Sequence, residues 1–172
     1  MKAMKSRLAR LLLHRWHDES DLRRALVPAA LARLDAHVAA SELRHSGQIR
    51  LCVEAGLPLA WLWRRATARQ RAVALFGKLR VWDTAHNNGV LIYLLLAEHA
   101  IEIVADRGLS TAVPEAAWQQ IAAGLGAALQ GRRFEQGLDE AIAAVDVLLV
   151  QHFPRLAGED YGNELPDRVV QL

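Results

Sequence analysis

Apolar residues recur along this chain with two different periods. Met4, Leu8, Leu11, Leu12 and Trp16 fall at helical spacing with lysines and arginines between them, which predicts a basic amphipathic helix over residues 1–19. Pro28 suits a first helical turn, Leu31, Leu34, Val38 and Leu43 give a second apolar stripe, and Gly47 is placed to end it. The period then changes. Gln48 to Glu54 alternates, with Ile49, Leu51 and Val53 against Arg50, Cys52 and Glu54, the pattern of a half-exposed edge strand. After an apolar connection, Leu57 to Trp63, Thr67 is a cap for a helix whose core positions are Ala68, Val73, Leu75, Phe76 and Leu79.

Val90 to Leu96 is apolar on both faces and follows Asn88-Gly89, which predicts a covered central strand. A two-residue turn at Glu98-His99 returns the chain along Ala100 to Asp106, where Ile101 and Ile103 alternate with Glu102 and Val104. Two long helices follow, from Pro114 to Gln130 and from Phe134 to His152, with Gly131 between them. Beyond Pro154 the polar run Gly158 to Asp167 has no period, so residues 154–172 are expected to be a disordered tail. A strand-helix-strand crossover implies a parallel pair and the tight turn an antiparallel one. The expected fold is α/β, with a small mixed sheet covered by helices, in a domain spanning residues 20–153.

Composition narrows the classes of function. The chain has 172 residues, 52% of them hydrophobic, enough for one domain with a core. Its 21 Lys and Arg nearly balance 19 Asp and Glu, which argues against a nucleic-acid binder. The basic charge is nonetheless uneven: Met1 to Trp16 holds five Lys or Arg and no acid. A single cysteine, Cys52, excludes an internal disulfide and any paired-cysteine zinc site. The apolar centre Leu11-Leu12-Leu13 is too short for an export signal, and Gly89 to Ala97 is about half of the ~20 residues a membrane span needs. A cytoplasmic protein, peripheral to the inner membrane if the first helix binds there, is the expectation.

Hairpin geometry gathers the polar groups at one sheet end. With Glu98 and His99 as the loop, Leu91 would face Asp106, so Asp106 lies beside Asn87-Asn88, near Asp83 and the strand entry His45-Ser46-Gly47. Asp83, Asn87, Asn88 and Asp106 are hard oxygen donors, a set suited to Ca2+ or Mg2+. The competing reading is turn and capping chemistry, with Asp83 capping a helix end or paired with Arg107 and His86 solvated. Cys52 lacks the basic loop that would activate a thiolate, and His14, His17 and His37 have no matched partners. No GxGxxG, GxxxxGK[ST] or GxSxG occurs, and no organic cofactor is expected. Leu8, Leu11, Leu12 and Trp16 could pack on the domain itself, or face a partner groove or an anionic bilayer.

Three stretches, Arg44-His45-Ser46-Gly47-Gln48-Ile49-Arg50, Trp82 to Ile92 through Asn88-Gly89, and Ile101 to Gly108, resemble the TPM domain family. The resemblance covers Ala30 to Phe153 and implies a three-layer α/β/α sandwich, with acidic loops that bind divalent cations in some members and a phosphatase activity claimed for plant relatives. The chain departs from the family at Ala105-Asp106-Arg107-Gly108-Leu109, where many members carry a glycine-tyrosine-glycine-leucine-glutamate stretch, and at Glu115, where an aspartate is common. Its closing Asn163-Glu164-Leu165-Pro166-Asp167 resembles a short bacterial subgroup associated with LemA-type membrane proteins. Two functions are expected from this: a non-enzymatic accessory domain that holds a cation and docks on a membrane-associated protein assembly, or a metal-assisted phosphomonoesterase.

Overall fold

A computed structural model describes the backbone of residues 2–17, 19–156 and 161–172, and the side chains of 9–17, 20–156 and 161–172. The chain begins with helices α1 (Lys2–Trp16), α2 (Glu19–Ala25) and α3 (Pro28–Glu42). Pro28 opens α3 as expected, and the extended Val27 before it separates α2, a break the periodicity did not show. Strand β1 (Gln48–Glu54) is followed by the short helix α4 (Leu59–Trp63) and by α5 (Ala68–Lys78). Thr67 forms a reciprocal capping box with Gln70 at the start of α5. Strands β2 (Gly89–Leu95) and β3 (Ala100–Ala105), helices α6 (Arg107–Ala112), α7 (Glu115–Gln130) and α8 (Phe134–His152), and a two-residue strand β4 (Val170–Gln171) complete the chain.

The sheet order is β3-β2-β1-β4, with β1 parallel to both β2 and β4 and β2 antiparallel to β3. One core lies between the sheet and α2, α3, α7 and α8, built on Ile49, Leu51, Val53, Val90, Ile92 and Leu94. A second lies on the other face, where Cys52, Leu91, Tyr93 and Leu95 meet Leu62 of α4, Ala68, Ala72 and Leu75 of α5, and the partly buried Leu11 of α1. The strict alternation of the strands thus feeds two cores, the requirement of a three-layer sandwich.

Three expectations are corrected. Residues 96–99 form the β2–β3 turn, a 3-10 turn over Leu96–Glu98 closed by His99 at φ 49, and the register is Leu95 with Ala100 and Leu91 with Val104. The pairing is displaced by two residues because the loop has four residues, yet Asp106 still reaches this edge through its N–H bond to the Gly89 carbonyl at 2.9 Å. Strand β1 is not an edge strand: all seven of its residues are buried. The cause is the third correction. Residues 161–172, expected to be disordered, run along the outside of β1, with Val170 beside Cys52, Leu172 bonded through its backbone to Val53 and Ala55, and Leu165 and Val169 buried. The segment 157–160 lies outside the described residues.

Candidate functional site

The strand ends beyond β1, β2 and β3 hold the polar residues that the sequence singled out. The chain leaves α5 through Arg80 at φ 58 and buried Val81, and Val81 explains the glycine at 89. A Cβ at Gly89 would lie 2.0 Å from the Val81 carbonyl oxygen, so no larger residue fits at the start of β2. Thr84 Oγ1 accepts the Asn88 N–H at 3.0 Å, and Asn87 adopts the left-handed region at φ 53. The Asn87 carbonyl then accepts the Gly108 N–H at 2.9 Å. Gly108 is required by this approach, because a Cβ there would meet Asn87 O at 2.6 Å.

The four candidate ligands separate into two pairs. Asp83 is on the surface and its Oδ2 accepts from Arg80 Nε and Nη2. Asn87 Oδ1 accepts from Arg107 Nε at 2.9 Å and Nη2 at 2.6 Å, so Arg107 binds Asn87 rather than Asp83. The second pair is different. Asn88 is fully buried; its Nδ2 donates to Ser46 Oγ at 3.2 Å, while its Oδ1 has no donor. Asp106 caps α6 by accepting the Arg107 N–H at Oδ1, 2.7 Å, and its buried Oδ2 likewise has no donor. Each is a hard oxygen sealed from solvent without a protein partner; Asn88 precedes Gly89 in the chain, and Asp106 bonds the Gly89 carbonyl through its N–H. Among the described residues, no group of three or more His, Cys, Asp or Glu is arranged to hold a metal ion.

Behind this pair lies a cluster that the sequence reading did not assemble. His45 and Asp146 are both buried, and His45 Nε2 stands 3.6 Å from Asp146 Oδ1. Asp146 Oδ2 takes a charged bond from Arg44, and His45 Nδ1 lies 3.1 Å from the Gly47 carbonyl. Burial lowers the His45 imidazole to about 4, outweighing the carboxylate beside it, so the ring is neutral at neutral pH. One signal was available in the sequence: Asp146 interrupts the apolar face of α8 between Ile142 and Leu149, four residues after one and three before the other. A carboxylate at such a position needs a basic partner, and Arg44 is that partner.

The remaining candidates are structural. Cys52 is buried and burial pushes its thiol up to about 12, so no thiolate is available there. His14 is buried and bonded on both ring nitrogens, to the Leu57 N–H and to Glu98; His37 lies 2.6 Å from Asp139 at the surface and His17 bonds the Leu13 carbonyl. An open groove of about 360 Å³ between α7 and α8 is lined by Ile121, Leu125, Ala144 and Leu148, with Glu140 its one charged group.

The comparisons with known proteins agree with this architecture. The solution structure of BA42 protein from the psychrophilic bacterium Bizionia argentinensis superimposes with a TM-score of 0.74 at 24% identity, covering 85% of this chain and 94% of that one. No curated protein matches the sequence. The model of the TPM domain matches residues 20–148, from α2 through most of α8 and including every strand-end residue described above; the chain belongs to the TPM domain family.

Proposed function

We propose that this chain is a non-enzymatic accessory domain whose strand-end loops hold a divalent cation and which docks on a membrane-associated protein assembly. The observations that support the cation reading are two buried, donor-free oxygens at this sheet end, Asn88 Oδ1 and Asp106 Oδ2. A buried acceptor without a donor costs about 1–3 kcal/mol, and Ca2+ or Mg2+ satisfies hard oxygens of this kind. Asn87 joins such a site when Arg107 releases its Oδ1, and Asp83 joins when it leaves Arg80. The accessory reading is supported by two candidate nucleophiles among the described residues: Cys52, inside β1, is buried with its thiol raised to about 12, and Ser46 Oγ at the strand entry donates to the Phe153 carbonyl at 3.4 Å rather than to an imidazole.

Thermal melting tests the cation. Millimolar CaCl2 or MgCl2 should raise the melting temperature, since a ligand at a hundredfold excess over its Kd stabilises the folded state by about 2.7 kcal/mol, roughly 5–10 °C for a chain of this size. Asp106→Asn keeps the α6 cap but removes the charge, and should abolish the rise. An unmutated protein indifferent to both ions would leave these residues as turn and cap chemistry. Hydrolysis of a phosphomonoester that requires Mg2+ and is lost in Asp106→Asn would favour the phosphomonoesterase instead.

A further inference from the structure

The layer formed by α1, α4 and α5 has an unusual charge. Residues 2–17 and 55–82, which build it, contain eleven of the chain's 21 basic residues and none of its 19 acidic ones. The rest of the chain, with ten basic residues against 19 acidic, carries a formal net charge of −9. Four of the eleven, Arg10, Arg69, Arg71 and Arg80, pair with Glu98, Glu102, Glu54 and Asp83, so the layer taken with these four acids keeps a formal charge of +7 and the remainder −5.

That same layer presents apolar side chains outward. Helix α1 turns Arg10, Leu11 and His14 toward the domain, and its opposite face carries Leu12, 56% exposed, and Trp16, 83% exposed, with Leu13 beside them. Helix α4, packed against α1, buries Leu62 and leaves Leu59 and Trp63 outside, the latter 77% exposed. Arg15, Arg64 and Arg65 are exposed among them and form no ion pair with a described residue. Two exposed tryptophans with leucines and unpaired arginines are not the surface of a solvated helix.

Helix α1 is fastened rather than loosely attached. His14 Nδ1 accepts the Leu57 N–H at 3.0 Å, so its Nε2 carries the proton donated to Glu98 Oε1 at 2.8 Å. Arg10 bonds the same carboxylate and the Ala66 carbonyl, both at 2.7 Å. Burial alone would raise the Glu98 carboxyl, but the bonds from Arg10 and His14 outweigh it and hold it low. The Gly56 backbone lies so close to α1 that a Cβ there would meet the His14 carbonyl at 2.7 Å.

We infer that the outer face of α1 and α4 is a docking surface for an anionic bilayer, with Trp16 and Trp63 seated at the headgroup boundary and the arginines on lipid phosphates. Indole suits that boundary because its ring is apolar while its N–H keeps a polar partner. The net positive layer supplies the attraction and the acidic remainder orients the opposite face to solvent. The inference stands apart from the cation site, which lies at the strand ends.

The test is co-sedimentation with vesicles of equal phosphatidylglycerol and phosphatidylcholine, and with phosphatidylcholine alone. The full chain should sediment with the first and not the second, and brominated lipid should quench its fluorescence. Trp16→Ser and Trp63→Ser should each weaken binding about tenfold, and the pair about a hundredfold. Both side chains are exposed, so melting and the response to cation should be unchanged, which separates loss of the docking face from loss of the fold. Failure of the full chain to sediment overturns the inference, as does a double variant that still sediments like the parent, since binding would then be adsorption by charge alone.

Discussion

Glu42 and His45, three residues apart at the end of α3 and the entry to β1, answer pH in opposite senses. Burial raises the Glu42 carboxyl to about 8 against the Ile49 N–H, which its Oε1 accepts at 2.8 Å. The folded state therefore holds a proton that the unfolded chain releases above about 4.5, and its stability falls as pH rises from there toward 8. His45, lowered to about 4, behaves in reverse: the unfolded chain binds a proton below about 6.5 that the folded state refuses, so stability falls as pH drops through that window. Between about 4.5 and 6.5 the two oppose one another. Above 6.5 Glu42 acts alone, so Glu42→Gln should remove a loss of stability between pH 6.5 and 8, read as a smaller shift in the urea midpoint. Asn88 and Gly89 were legible in the sequence because Asn-Gly before an apolar run has a local cause. The partners that bury Asn88 were not, because Ser46 lies 42 residues away in the chain and nothing local requires the contact.

At the scale of elements, local chemistry was legible where it is complete within a few residues. Thr67 and Gln70 cap α5 on each other's backbone, and Thr67→Ala should cost about 1 kcal/mol in a denaturant melt. Short helices escaped the reading: α4 has five residues and α6 six, each hardly more than a turn, with no room for a stripe. Strand β1 misled for another reason, because alternation distinguishes its two faces without saying that the polar one is wet. Glu54 on that face is buried and accepts Arg71 Nε at 2.9 Å, Arg71 Nη2 at 2.6 Å and the Tyr93 hydroxyl at 2.7 Å. Arg71 also stacks on Trp61, 5.1 Å from its centroid. Arg71→Met keeps the aliphatic bulk but strands a buried carboxylate, and should destabilise the domain by about 3–5 kcal/mol in urea unfolding. Glu54→Gln in the same chain should restore part of that loss.

At the scale of the whole molecule, the order of strands and helices carried the small mixed sheet with its covering helices, since a parallel crossover followed by a hairpin leaves few arrangements, while the three-layer sandwich came with the resemblance to the TPM domain family. The C-terminal segment was not legible. Leu165, Val169 and Val170 are too sparse for a period, and their attachment comes from residues far upstream: Gln48 Oε1 accepts the Glu164 and Leu165 N–H groups, Asp35 accepts the Val169 N–H at 2.7 Å, and Arg50 donates to the Arg168 carbonyl. Removing residues 161–172 should cost on the order of 3–5 kcal/mol, from two buried apolar side chains and the lost ladder, seen as a fall in melting temperature. The same segment has a second consequence, at the level of association between molecules. With β4 absent, β1 would offer free backbone donors and acceptors along its outer edge, a template for a strand from any neighbouring chain. Residues 161–172 cover that edge, so a chain shortened by them should scatter light increasingly with concentration while the full one remains clear.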